Sequence, residues 1–339
     1  MDCFNKRYNK IVFLTGAGVS AASGLPTYRG NDGLWENEEV ARLATLEAFE
    51  EDATGAWRFW NKLREKCLHA KPNPAHLALS DWTRALVEGQ SLTLVTQNID
   101  GLHQRAGSPD VIELHGSIFR TRCSKIDCLL EPFEEKQPSS SEVPHCPQCH
   151  SVLRPDVVFF GEPLPPKADW LSKKALRDCD LFVAVGTSGT VSPASSFVHS
   201  AKFVEATTIL VNLELMNPAN PAFEVEMLGA AGELLPRLQF EFFLKQTMID
   251  MSLPPASAHQ EQFAREHFDI TKSPDEQAAR FGHLELFASP FQYRYSDRKL
   301  DAWIHRYYRI ITTPQFLRMC RLEYLTPEEI ERVENDDGM

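Results

Sequence analysis

Long apolar runs are what this 339-residue sequence most plainly lacks. No stretch approaches the roughly 20 residues needed to span a bilayer, and the opening MDCFNKRYNK has no apolar core of a secretory signal. A membrane or exported protein is therefore not expected, and the cytoplasm is the expected compartment. Basic clusters are missing as well. Lys and Arg number 35 against 47 Asp and Glu, for a formal charge of −12, and without a run of cations there is little to neutralise a phosphate backbone. That opposes general nucleic-acid binding. No internal repeat or low-complexity tract is present, so solenoid and fibrous classes fall away. With 43% hydrophobic and 24% charged residues the composition is that of an ordinary globular protein. A single large α/β unit with an appendage and two separate domains both suit the length.

What the sequence does contain is a rhythm of short apolar runs that end in glycine or polar turns. In KIVFLTGAGVSAASGLP, Ile11 to Leu14 enters a turn with Gly16 and Gly18, and the Ala-rich stretch from Val19 predicts a helix. SLTLV ends at Gln97, Asn98 and Asp100, and VIEL ends at His115 before a glycine. CDLFVAVGTSG and TTILVNLE read as two more buried strands. Strands separated by helical stretches predict an α/β fold, a Rossmann-like parallel sheet covered on both faces with its ligand at the strand ends. Residues 30–80, including WRFWNKLREKCLHA, predict a helical insertion, and 118–155 a small zinc-binding module. MLGAAGELLPRLQFEFFLKQ predicts a closing helix. From about residue 246, SLPPASAHQ reads as a linker and DRKLDAWIHRYYRIITTPQFLRMCRLEY as aromatic-rich helices.

Several of these turns carry chemistry. Gly16-Ala17-Gly18-Val19-Ser20-Ala21 fits G-x-G-x-x-A, in which missing Cβ atoms let backbone amides approach a pyrophosphate and the following helix adds its dipole. A ligand-free tight turn is the alternative reading. Gly186-Thr187-Ser188 offers hydroxyls and amides to a phosphate or ribose, and Asn212-Leu213-Glu214 places a carboxylate where an adenosine ribose can donate to it. Three such strand ends in one sheet imply a dinucleotide. Cys123-x4-Cys128, seventeen residues, then Cys146-x2-Cys149 gives four thiolates in two close pairs, the ligand set of a closed, structural Zn²⁺ site. His145 and His150 flank it as alternative ligands. Cys3, Cys67, Cys179 and Cys320 stand alone in sequence and read as inert. His115 lies where the sheet leads into the zinc module, a junction at which clefts form, and an imidazole there can take a proton from a sugar hydroxyl. Asn98 and Asp100 would hold ribose hydroxyls, a water or an amide.

GAGVSAASGLPTYRG, TQNIDGLH, ELHGS, the two Cys pairs, RPDVVFFGE, GTSGTVSPA and VNLE stand in the order in which sirtuins carry them, and over about residues 8–245 the chain resembles that family of NAD-dependent protein lysine deacylases. The resemblance implies a catalytic domain over 1–245; residues 246–339 lie beyond it as a helical extension whose aromatic helices are expected to pack on the sheet, with self-association or partner binding as the other readings. It also implies an NAD site formed by Gly16, Ala17, Gly18, Ala21, Arg29, Gln97, Asn98, Asp100, Gly186, Thr187, Ser188, Asn212, Glu214 and Ala231. His115 would be the general base, with Asn98 and Asp100 beside it and Asp100 gripping the nicotinamide carboxamide. Val158, Phe159, Phe160, Gly161 and Glu162, facing the loop near Val191, would pair with an acyl-lysine substrate held as an extended strand. The implied products are nicotinamide, free lysine and 2′-O-acyl-ADP-ribose. Of Phe159 and Phe160, either could belong to the core.

One departure bears on specificity. The branch containing most bacterial deacylases and the mitochondrial desuccinylase carries a Tyr and an Arg that bind an acidic acyl group, and the matching positions here are Trp60 and Leu63. Arg64 is adjacent, but one helical step turns it by about 100°. An uncharged acyl group, acetyl foremost, is therefore expected. NAD hydrolysis without an acyl acceptor and ADP-ribosyl transfer to protein stay open as other readings.

Overall fold

A computed structural model describes residue 4 and residues 6–27, 41–137, 143–216 and 218–250. The expected extension from 251 onward, Arg29, and residues 30–40 of the expected helical insertion lie outside the described residues. The chain divides into two units. The first comprises Asn9–Thr83 with Glu88–Leu234, and the second Met1–Tyr8, Arg84–Val87 and Leu235–Met339.

The first unit is built on six parallel strands: β1 (Lys10–Thr15), β2 (Ser91–Thr96), β3 (Ile112–Glu113), β7 (Leu181–Val185), β8 (Thr207–Asn212) and β9 (Val225–Leu228), in the spatial order β3-β2-β1-β7-β8-β9. The runs IVFLT, LFVAV and TTILV are buried throughout, as central strands covered on both faces must be. Strand order reverses between β1 and β7, so their carboxyl ends diverge into a crevice, the place where open α/β sheets hold ligands. Two edge strands depart from the sequence expectation. VIEL shrinks to a two-residue β3, and β9, with Glu226 in its middle and only Met227 buried, carries no apolar run to announce it.

The expected helix after the first glycine turn is a seven-residue 3-10 helix, Ala17–Ser23, stopped by Gly24 in the left-handed region at φ +81. So short a helix adds little dipole to a bound anion.

The helical insertion holds α1 (Leu46–Glu51), α2 (Ala53–His69) and α3 (Pro74–Arg84). In α2, Trp57, Trp60, Leu63 and Cys67 recur at helical spacing and are buried, and the Asp52 side chain caps its first turn through Gly55 N at 2.8 Å. Asn73 performs the same service for α3 by accepting from Ala75 N at 2.9 Å. The small module is a three-stranded antiparallel sheet of β5 (Phe133–Glu134), β4 (Gly116–Cys123) and β6 (Leu153–Val157). Its core joins the α2 side chains to Ile118, Leu153, Val157 and Phe159. Shorter helices α4 (Leu102–Arg105), α5 (Pro166–Leu176) and α6 (Phe197–Phe203) connect the strands.

In the second unit the described residues include most of α7 (Ala231–Asp250). Phe4 meets Phe242 edge-on at 5.3 Å, and Gln246 accepts from Tyr8 N and donates to Lys6 O, each at 2.8 Å. No helix among the described residues is long and apolar enough to cross a membrane.

Candidate functional site

The carboxyl ends of β1, β2, β7 and β8 open into a cavity of about 1390 Å³. Its floor is a backbone junction. Gly16 N donates to Val185 O and Gly18 N to Gly186 O, each at 2.9 Å. A Cβ on Gly16 would stand 2.6 Å from Gly186 O, and one on Gly186, itself at φ +59, would stand 2.5 Å from Val19 N. The glycines are thus required first by the packing of one turn on the other, and access for a ligand follows from it. Gln97 Nε2 donates to Thr187 Oγ1 and Asn212 Nδ2 to Thr187 O, both at 3.0 Å, so two expected ligand contacts brace the second glycine turn. Ala17, Ala21, Ser188, Glu214 and Ala231 also line the cavity.

His115 occupies the turn between β3 and β4. The next residue, Gly116, has φ +76, and a Cβ there would run into Asp156 O. Only glycine lets the chain leave the parallel sheet at this point, which fixes where the imidazole stands. His115 Nδ1 lies 2.8 Å from Gln97 O. A carbonyl only accepts, so Nδ1 carries the proton and Nε2 is the basic nitrogen. Burial lowers the His115 pKa, and the bond to Gln97 O offsets part of that effect, so the ring is neutral at neutral pH.

Beneath the cavity lies a buried polar network. Asn98 Nδ2 donates to Gly16 O at 3.0 Å and to Ser20 Oγ at 3.2 Å, while Ser20 Oγ donates to Asp100 Oδ2 at 2.7 Å. Asp100 Oδ1 accepts from Leu102 N at 2.9 Å. Burial raises the Asp100 pKa against the lowering effect of these bonds.

The 158–162 segment forms the opposite wall. Phe159 is buried against Trp60, with ring centroids 5.6 Å apart and planes at 17°, while Phe160 is 41% exposed at the cavity. That resolves which of the two faces inward. Val158 N donates to His115 O at 3.0 Å, tying this wall to His115. Trp60 lines the cavity with Ala44, Ile99 and Val157. Arg64, by contrast, is fully buried and bonded to Ile118 O, Thr121, Glu135 and Gln137 O.

In the small module the sulfurs of Cys123, Cys128, Cys146 and Cys149 all lie within 4.8 Å of one another, with the closer pairs at 3.5 and 3.6 Å. Tetrahedral Zn–S bonds of about 2.3 Å call for S···S edges of roughly 3.8 Å, which four thiolates so placed provide. His145 Nδ1 is directed to His150 O at 3.1 Å, and neither ring joins the sulfur cluster.

A Sir2 family profile matches residues 16–193. Over 230 residues the chain is 43% identical to an NAD-dependent protein deacylase of Pyrococcus furiosus, covering 67% of this chain and 90% of that protein. The chain belongs to the Sir2 family. Among solved structures, a Sir2 homologue bound to NAD superposes with a TM-score of 0.63 at 35% identity, over 71% of this chain and 98% of that one. A Sir2 protein with a deacetylated p53 peptide and 3′-O-acetyl-ADP-ribose gives 0.62 at 31% identity, over 71% and 96%.

In this Sir2 protein the cavity brings together every expected NAD and substrate residue within the described part of the chain except Asp100. Asp100 turns back to Ser20 and is 5% exposed. Asn98 Oδ1 is buried without a hydrogen-bond partner, and the two glycine turns pack backbone to backbone into one floor. These residues fit a dinucleotide with an amide and two riboses. The four-cysteine set of the small module fits a structural zinc ion. Several site residues escaped the sequence reading, notably Ser20, His76 and His103. Ser20 Oγ approaches His76 Nε2 at 3.4 Å, and the rings of His76 and His103 lie 4.8 Å apart. His103 was visible as the last letter of TQNIDGLH, but nothing local marked His76.

Proposed function

We propose that this chain removes acyl groups from protein lysines with NAD as co-substrate, and that His115 is the general base. The observation that carries this is the place of His115. One residue is tied through its imidazole Nδ1 to the Gln97 strand end of the dinucleotide floor and through its backbone carbonyl to the 158–162 wall. Bound in this cavity, NAD supplies a ribose carbon from which nicotinamide leaves and which an acyl oxygen can take.

The chain's own residues do the rest. The turns at Gly16–Gly18 and Gly186–Ser188 hold the phosphates, with Ala17, Ala21, Asn212, Glu214 and Ala231 around them and Arg29 added from outside the described residues. Gln97 and Asn98 hold the nicotinamide-ribose end, and Asp100 acts on it through Ser20 and Asn98 rather than by direct grip. Nε2 of His115 accepts the proton of a ribose hydroxyl. The amides of Val158, Phe159, Phe160 and Glu162 are committed within the chain, to His115 O, Glu162 Oε2, Ala44 O and Phe159 O respectively. An extended substrate therefore pairs chiefly with the carbonyls of this segment and with the loop at Val191. The catalytic unit is placed at 1–245, with 246–339 an extension. The cytoplasm is its compartment, in keeping with unpaired buried thiols at Cys67 and Cys179.

Incubation with NAD, with and without an acetyl-lysine peptide, tests the reading. O-acetyl-ADP-ribose formed only with peptide is expected. ADP-ribose formed equally without peptide would mean an NAD hydrolase, and label retained on protein an ADP-ribosyltransferase. Acyl preference follows from the wall at Trp60. Arg64 is buried and committed to Glu135, and Lys173, which lines the cavity, is paired with Asp169 at 2.7 Å. Acetyl- and butyryl-lysine peptides should be turned over at least about tenfold faster than succinyl-lysine, since burying an unpaired carboxylate costs more than one such factor. Faster succinyl turnover would reverse the assignment.

A further inference from the structure

Arg154 projects from β6 into the small module, where its side chain is 2% exposed. A guanidinium so buried needs a partner, and it finds one eight residues on, past Gly161 at φ +88. Nη1 donates to Glu162 Oε1 at 2.7 Å and Nη2 to Glu162 Oε2 at 2.8 Å, a fork-on-fork pair, while Nη2 also donates to Val157 O at 2.9 Å. Glu162 Oε2 in turn accepts from Phe159 N at 2.8 Å. The segment is thus folded around one carboxylate, with Phe160 left outward. The guanidinium carbon also lies 3.7 Å from the Phe159 ring centroid, and that ring stacks on Trp60. One buried cation therefore touches both the peptide-facing segment and the ring that backs the acyl wall, yet it does not itself line the cavity.

We propose that the Arg154–Glu162 pair is a positioning device for the acyl-lysine substrate, holding 158–162 in its peptide-accepting form and bracing the Phe159–Trp60 wall behind the acyl group. This rests on the deacylase reading. A pair serving only the fold would lower the melting temperature and the active fraction while leaving both Michaelis constants alone. A positioning pair shifts the constant for the peptide and spares the one for NAD, whose floor lies on β1 and β7.

The test uses the full chain and the variants R154M, R154K and E162Q, with steady-state kinetics on an acetyl-lysine peptide and calorimetric titration with NAD. R154M should raise the peptide KM about tenfold or more, with kcat reduced less than about threefold and the NAD Kd within about twofold of wild type. R154K keeps the charge but not the fork, and should fall between the two. E162Q, which keeps an oxygen for Phe159 N, should raise the peptide KM less, and the double variant R154M/E162Q should be no worse than R154M, because the two residues act as one unit. An unchanged peptide KM in a folded variant, or a peptide KM and NAD Kd rising together, overturns the proposal. Should R154M fail to fold, E162Q reads the same split. A wild-type protein with no peptide-dependent turnover overturns the deacylase reading itself, whereas normal wild-type turnover with unmoved constants in the variants overturns only the clamp.

Discussion

Replacement of His115 by alanine is expected to lower kcat/KM for an acetyl-lysine peptide by about 10²- to 10⁴-fold, the range set by a positioned general base. The residue lines the cavity, its imidazole bonded to Gln97 O and its backbone carbonyl accepting from Val158 N of the opposite wall. Folding should be little affected, since the lost contact is a single bond to Gln97 O. The wild-type pH profile carries a second expectation. A base must be neutral to accept a proton, and burial holds the His115 pKa below its ordinary 6.5. The acid limb of kcat/KM should therefore lie below pH 6.5 and vanish in the alanine variant. The same shift has a sign for stability. Between the folded and unfolded pKa values the unfolded chain binds the extra proton, so this contribution is whole above 6.5 and is lost as pH falls. A profile with its acid limb at or above 6.5, or a variant within tenfold of wild type, would remove His115 from the role.

How much of this was readable beforehand depends on what each feature required. β1, β7 and β8 are buried on both faces, so their sequences are nearly unbroken apolar runs and identify themselves. β9 pairs on one side only and alternates Glu with apolar residues, a pattern shared with many loops. Residues at strand ends were legible as a group because the sheet delivers them to one rim, but not in direction. Asn98 reaches the cavity, whereas two residues later Asp100 turns back to Ser20, a choice made by the φ +66 of Gly101 and by the Leu102 amide. Phe159 and Phe160 were indistinguishable until Trp60, a hundred residues away, supplied the ring that takes Phe159. Ser20, His76 and His103 meet from three separate elements, and no spacing along the chain records such a meeting. The four cysteines are the opposite case, because a metal site imposes its spacing on the sequence.

Those cysteines carry the other large expected effect. Substituting Cys146 or Cys149 by serine, or stripping metal with a strong chelator, should abolish peptide deacylation and unfold the small module, with one equivalent of zinc found in the intact protein by elemental analysis. The core the module does have is shared with α2. β5 contributes two residues and β6 five, too few strand pairs to stand without a core, while a structural zinc in small domains supplies on the order of 10 kcal/mol of apparent binding energy that is also folding energy. The consequence should not stop at the metal. Trp57 Nε1 donates to Leu153 O at 2.9 Å, and Arg64 Nε donates to Ile118 O at 2.9 Å, so α2 is fastened directly to β6 and β4. Loosening those strands frees the helix that carries Trp60 to the cavity wall and the 158–162 segment bonded to Arg154 through Glu162. The dinucleotide floor on β1 and β7 belongs to the parallel sheet and has its own buried core of Val12, Leu14, Phe182 and Leu210. Metal removal should accordingly cost peptide turnover before it costs NAD binding, and a metal-free protein that still deacylates at a wild-type rate would show that the thiol cluster does not support the site.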